Sequence, residues 1–164
     1  MTEGTPSPFN SALETGVRTL AILIACYPKA LDLGRLVQYD YLAVHSADAG
    51  GPPSLHPPLP LRSGELLVRR GLIESGLQLM MSRSLVRQES HTQGFLYSAD
   101  DSASSFLFNM RSPYILELRI RAEWVTTTFD ALSADDLNSI VRQLFKSWTI
   151  EFQPVHSGPH AELM

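Results

Sequence analysis

The sequence holds one cysteine, Cys26, so no disulfide can close within the chain and a cysteine-based zinc site is excluded. A reducing cytoplasm fits that scarcity. Long apolar runs are missing too: the longest, Leu20–Cys26, is far shorter than the roughly 20 residues a bilayer-crossing helix needs, and the N-terminus lacks the basic start of a signal peptide. Neither secretion nor membrane association is expected. Lysine is scarce, eleven of the thirteen basic residues being arginine, the side chain suited to planar contacts with carboxylate or phosphate. Charged residues make up 18%, below the roughly 25% of ordinary soluble domains, which leaves more apolar surface for a partner. The net charge of -4 excludes coating nucleic acid by bulk charge and leaves only a local basic face for that purpose. Gly-x-Ser-x-Gly and Gly-x-x-x-x-Gly-Lys-Ser/Thr are both absent, so no nucleophile elbow or phosphate-binding loop is readable.

What is present reads as one domain of mainly helical pattern. Residues 1–9 form a flexible lead. Ser11 and Glu14 have capping-box spacing ahead of an apolar face at Leu13, Val17, Leu20, Ala21 and Ile24, and Pro28 stops this helix after Tyr27. Asp32 can cap a second helix, with Leu33, Leu36, Val37, Tyr41 and Val44 on one face, running to about His45. The stretch 47–61 carries five prolines and reads as a stiff, extended connector. Ser63 and Glu65 open a third helix bearing Leu66, Ile73, Leu77, Met80 and Met81, with a break expected near Gly71. A hairpin follows: strand Leu85–Ser90, turn His91–Gly94, strand Phe95–Ala99. Asp101 can cap a short helix, the pair Ser112 and Pro113 a longer one, and Ser133 with Asp136 a last one. Three helices and then a hairpin is the element order of a winged helix-turn-helix. The expected fold is therefore mainly α with a small β-hairpin, a winged-helix-like core followed by C-terminal helices. Its divisions are a core at 10–110, a C-terminal helical extension at 111–152 and a flexible tail at 153–164.

Few residues offer chemistry. Ser54 and His56 lie two apart in the proline-rich connector, a placement that matches no triad order. Asp40, His45, Asp48 and His56 could be imagined around a metal, but the spacing is not diagnostic, and capping the helix end and hydrogen-bonding the connector is the preferred reading. No catalytic residue, metal ligand or cofactor is assigned. Arg62, Arg69, Arg70, Arg83 and Arg87 face only Glu65 and Glu74, so this segment is basic within an acidic chain and is expected to meet DNA or a partner, with Arg69 and Arg70 on an exposed face. A connector stiffened by proline has little freedom to lose on docking. Tyr39, Tyr41, His45, Leu55, His56 and Leu59 are accordingly candidate partner-binding residues; the alternative is that the connector covers the protein's own core.

Several longer strings are specific. They are Phe-Asn-Ser-Ala-Leu-Glu-Thr-Gly from Phe9, Leu-Asp-Leu-Gly-Arg-Leu-Val-Gln-Tyr-Asp-Tyr-Leu from Leu31, Val-His-Ser-Ala-Asp from Val44 and Pro-Ser-Leu-His-Pro from Pro53. A fifth, Arg-Ser-Gly-Glu-Leu-Leu-Val-Arg-Arg-Gly-Leu-Ile-Glu-Ser-Gly-Leu-Gln-Leu-Met-Met-Ser, begins at Arg62. Over Phe9 to about Trp124 the chain resembles the middle components of bacterial ABC-three-component defence systems, the group that includes Lamassu-type systems. The resemblance implies a non-catalytic accessory protein, encoded with an SMC- or Rad50-like ATPase and with an effector that is often a nuclease. Such a protein would bridge ATPase and effector in response to foreign DNA, or hold the effector inactive, touching DNA through the complex. A free-standing winged-helix transcription regulator is the competing reading, against which stand the net negative charge and the long connector ahead of the third helix. A small enzyme has only the His-Asp cluster in its favour.

Overall fold

The computed structural model describes residues 11–57 and 65–151. The expected lead 1–9, the expected tail 153–164, and Leu59, Leu61, Arg62 and Ser63 lie outside the described residues. Helix starts fall where local polar chemistry puts them. The Ser11 hydroxyl accepts from the Glu14 N–H at 3.1 Å and opens α1 (Ala12–Ala25), and Asp32 Oδ1 accepts from the Arg35 N–H at 2.7 Å and opens α2 (Leu33–Val44). Between them lies a strand the sequence does not announce, β1 (Leu31–Asp32), only two residues long. A four-residue 3-10 helix, Ser46–Ala49, follows α2 and closes on Gly50 at φ 75°.

Helix α3 (Glu65–Ser82) runs unbroken through Gly71, correcting the expected interruption there. A glycine costs a helix only about 1 kcal/mol against alanine, less than the burial of Ile73, Leu77 and Met80 on the same helix returns. The second glycine, Gly76, marks a crossing: a Cβ there would lie 2.7 Å from the Gly16 backbone nitrogen, so α1 and α3 meet backbone to backbone. Ser84, at φ 59°, ends α3 in the left-handed region, while the Leu85 N–H returns to the Met80 carbonyl at 3.0 Å and the Ser84 N–H to that of Met81 at 3.0 Å.

The hairpin forms one residue later than expected on its first strand. Strands β2 (Val86–His91) and β3 (Gly94–Ala99) pair antiparallel from Val86↔Ala99 to His91↔Gly94. Strand β3 also pairs with β1, Leu31 opposite Tyr97 and Asp32 opposite Leu96, so the sheet order is β1-β3-β2. The short helix α4 (Ala103–Phe108) is led in by Asp100 rather than by Asp101: Asp100 Oδ2 accepts from the Ser102 N–H and hydroxyl at 3.0 and 2.7 Å, while Asp101 accepts from the Tyr27 hydroxyl at 2.6 Å. Helix α5 (Pro113–Phe129) starts at its Ser-Pro pair, with the Ser112 hydroxyl accepting from the Ile115 N–H. Helix α6 (Ala134–Glu151) starts where the Ser133 hydroxyl accepts from the Asp136 N–H.

One hydrophobic cluster joins these pieces. Leu20, Ile22 and Leu23 of α1 lie at its centre with Leu36 and Leu42 of α2, Ile73 and Leu77 of α3, Leu118 and Val125 of α5, and Leu137 of α6. Leu13, read onto the apolar face of α1, is exposed instead. The described chain is thus mainly helical, with a small three-stranded sheet. No helix among the described residues is long and apolar enough to cross a membrane.

Candidate functional site

The fold brings several of its buried charged and polar residues to one place, where α1, α2, α3, α5 and the connector meet. Asp40 of α2 is completely buried. Arg18 of α1 grips it with two bonds, Nε to Oδ1 at 2.8 Å and Nη2 to Oδ2 at 3.2 Å, and Arg69 of α3 donates Nη1 to Oδ2. Isolating a carboxylate from water costs several kcal/mol and is tolerated here because two guanidiniums surround it. Burial pushes the Asp40 pKa up, but the fields and hydrogen bonds of Arg18 and Arg69 outweigh it and hold the group down at about 2. Arg18 is in turn raised, its burial offset by Asp40 and by a hydrogen bond with Tyr114. Arg69 Nε and Glu14 Oε2 are shielded from solvent with no hydrogen-bond partner among the described residues.

Beside this triad stand two neutral histidines. The rings of His45 and His56 sit edge to face, 6.2 Å between centroids, and His56 Nε2 lies 2.9 Å from the Tyr114 hydroxyl of α5. Burial first, and then the positive charge of Arg69 for His45 and of Arg18 for His56, depresses both pKa values to about 4. Both rings are uncharged at neutral pH. Tyr41 donates to Asp48 Oδ2 at 3.2 Å and stacks on Phe145 of α6, while the Tyr39 hydroxyl accepts from Arg35 Nε at 3.2 Å.

The described part of the connector is fastened to the same region. The N–H groups of Leu55 and His56 both donate to the Val44 carbonyl, the Ser46 hydroxyl donates to the Pro52 carbonyl, and Arg121 of α5 clamps the Pro53 carbonyl with Nη2 at 2.8 Å and Nε at 3.1 Å. Gly51 lies flat against Trp124, where a Cβ would approach the indole to 2.3 Å. The Ser54 hydroxyl accepts from the Ala47 N–H, a turn-forming role with no histidine in reach of it in the described hydrogen bonds.

Set against the sequence reading, the grouping is partly right. His45 and His56 do come together, but Asp40 points to the two arginines and Asp48 to Tyr41. No group of three or more potential ligands for a metal occurs among the described residues. Tyr39 and Tyr41 are fully buried; the Tyr41 ring lies between Phe145 of α6 and Arg69 of α3, and Arg35 lies over the Tyr39 ring. Arg69 and Arg70 do not share a face. Arg69 turns inward to Asp40, whereas Arg70 is exposed and lies 3.7 Å from Glu74. Arg83 is exposed, and Arg87 is engaged by Asp100 at 2.8 Å and Asp101 at 3.5 Å. Much of the segment's positive charge is therefore spent within the chain. Sequence reasoning missed Arg18, Tyr114 and Arg121. The available signal was Arg18 itself, the only basic residue of α1 and placed among its apolar positions, which called for an acid facing it.

Outside this cluster, two concavities adjoin along the α2–α3 side and share Gly34 and Arg70. One, of about 290 Å³, reaches Leu67; the other, of about 560 Å³, reaches the tip of the hairpin at Phe95.

The family model of the ABC-three component (ABC-3C) system Middle Component 2 matches the chain over residues 8–151. No curated protein and no solved structure matches it. The match takes in every described element, the charged cluster and the connector that crosses it, and the chain accordingly belongs to the middle component 2 family, the non-catalytic accessory components of ABC-three-component defence systems.

Proposed function

We propose that this chain is the bridging subunit of its system, holding an SMC- or Rad50-like ATPase to the effector and passing on the response to foreign DNA in the cytoplasm. The family match over residues 8–151 carries this reading. The composition of the surface supports it: Leu67, Val68, Phe95, Leu116 and Ile120 are large apolar side chains left exposed, and exposed apolar area is what protein partners cover. The core is proposed to be winged-helix-like. Helix, short strand, two helices and two strands follow in that order, and β1 adds to the far side of β3 from β2, which ties the hairpin to the helices.

Within that reading the chain meets DNA through the complex rather than by itself. Arg69 is committed to Asp40 and Arg87 to Asp100 and Asp101, leaving Arg70 and Arg83 as the exposed arginines of α3 and its end. Two phosphate contacts from Arg70 and Arg83 would give a shallow salt dependence, far from that of a protein making six to ten such contacts. Co-expression with the products of the neighbouring genes tests the proposal. A stable complex containing a coiled-coil ATPase is expected; a chain that purifies alone and binds a palindromic duplex as a dimer would instead identify the free-standing regulator.

A further inference from the structure

Helix α3 is built inside out over its first two turns. Its most buried residue there is a charge, Arg69, beside the partly buried Leu66, whereas two large apolar side chains, Leu67 and Val68, point outward with 73% and 62% of their surface exposed. Gly71 lies one turn further on, between those two around the helix axis. A Cβ added at Gly71 would meet nothing within 4 Å, in contrast to Gly76 on the inner side, where the neighbouring helix explains the residue. The chain thus bears the helical cost of a glycine at a position where its own packing gains nothing from it.

An exposed glycine flanked by apolar side chains is the arrangement that lets a second helix approach the backbone closely, the flanking residues closing over it on either side. The polar edge of this strip is Arg70 with Glu74, both about half exposed and only 3.7 Å apart, so each is free to turn to an opposite charge on an incoming surface. Beyond Arg70 the α2–α3 concavities continue the strip toward Phe95, itself exposed on the hairpin.

We infer that the outer face of α3, centred on Gly71, is the docking site for an amphipathic α-helix of a protein partner in the same system, a conclusion that rests on the bridging role proposed above. Three observations select that occupant. The chain is one component of a three-component system, so a protein partner is given by its family. A second copy is disfavoured by area: a two-fold contact over two helical turns, with two large apolar residues from each copy, falls below the roughly 1,200 Å² of a stable interface, whereas in a larger assembly it is one contact among several. Nucleic acid is disfavoured by chemistry, because Leu67 and Val68 offer nothing to phosphate, Arg69 is withdrawn to Asp40, and Arg70 has the carboxylate of Glu74 beside it.

The test uses the full chain with its ATPase and effector, co-expressed and then titrated as purified proteins. Gly71→Leu fills the strip without entering the core. The isolated variant is expected to melt about 2–4 °C higher than the wild type, since leucine is the better helix former by about the margin of alanine, yet to bind the partner at least tenfold more weakly. Val68→Asp is expected to weaken binding similarly at unchanged melting temperature. The inference is overturned if both variants bind the partner as the wild type does, while the bridging role stands. A wild-type chain that binds neither protein overturns both. A variant that loses binding to duplex DNA, or a wild-type chain that self-associates through this face and stops doing so as Gly71→Leu, assigns the strip to another occupant and also overturns the inference.

Discussion

Replacing Asp40 by asparagine keeps the shape of the side chain and removes its charge, leaving Arg18 and Arg69 buried with no countercharge between them. Breaking a buried ion pair by deleting one partner costs about 3–5 kcal/mol. Two guanidiniums lose their anion here, so the upper part of that range applies. For a chain of this size each kcal/mol moves the melting temperature by roughly 2–4 °C, and the drop should be about 10–20 °C at pH 7, read by thermal and urea unfolding. The cost comes from the orphaned charges and not from the lost bonds. The triple replacement of Arg18 by Met, Asp40 by Leu and Arg69 by Met should therefore recover most of the loss, as buried ion triads replaced by apolar residues do. The acid limb gives a second reading. The folded pKa of Asp40, about 2, lies below its ordinary value of 3.8, so its contribution is present above pH 4 and is lost as the pH falls toward 2. An Asp40→Asn protein within 1 kcal/mol of wild type would show that the triad is hydrated, and the reasoning would fail.

His45 and His56 impose an earlier acid transition. Their folded pKa values, about 4, lie below the ordinary 6.5, so the unfolded chain takes up protons first and stability should fall as the pH drops from 6.5 toward 4; replacing both by Phe should flatten this stretch of the stability curve, and an unaltered slope would assign it to other groups. Leu55→Asp with His56→Asp should unfold the chain cooperatively rather than merely impair assembly, since Leu55 packs on the core and His56 is buried against Tyr114; a double variant with the wild-type melting temperature would return the connector to the role of a detachable docking arm.

The sequence announced those features whose physics is local. Ser11, Asp32, Ser112 and Ser133 each reach a backbone N–H three residues ahead, and all four helix starts could be placed from those few residues. Strand β1 was hidden because two residues carry no periodicity; its existence depends on Leu31 meeting Tyr97 across 66 positions of chain. Gly71 and Gly76 carry the same helical cost in the sequence, and only the neighbour of Gly76 separates them. The site divided in the same way. His45 and His56 were read into one group with Asp40 and Asp48 because all four lie near the end of α2 or in the connector, whereas the choice of Asp40 for Arg18 and Arg69 depends on three helices arriving together. Periodicity assigned Arg69 to the outside because it assumes charges face water, and a buried acid reverses that assumption.

The crossing of Gly16 and Gly76 has a mechanical consequence. Side chains at most helix contacts act as springs, since a rotamer can change to absorb a small displacement; at this crossing main chain rests on main chain, with the Met80 side chain packed beside it. A displacement of α3 passes to α1 there through backbone contact. With α1 goes Arg18, which draws on Asp40 and so on α2. Arg69 ties α3 to the same Asp40, so α3 reaches α2 both directly through that ion pair and by way of α1 and Arg18.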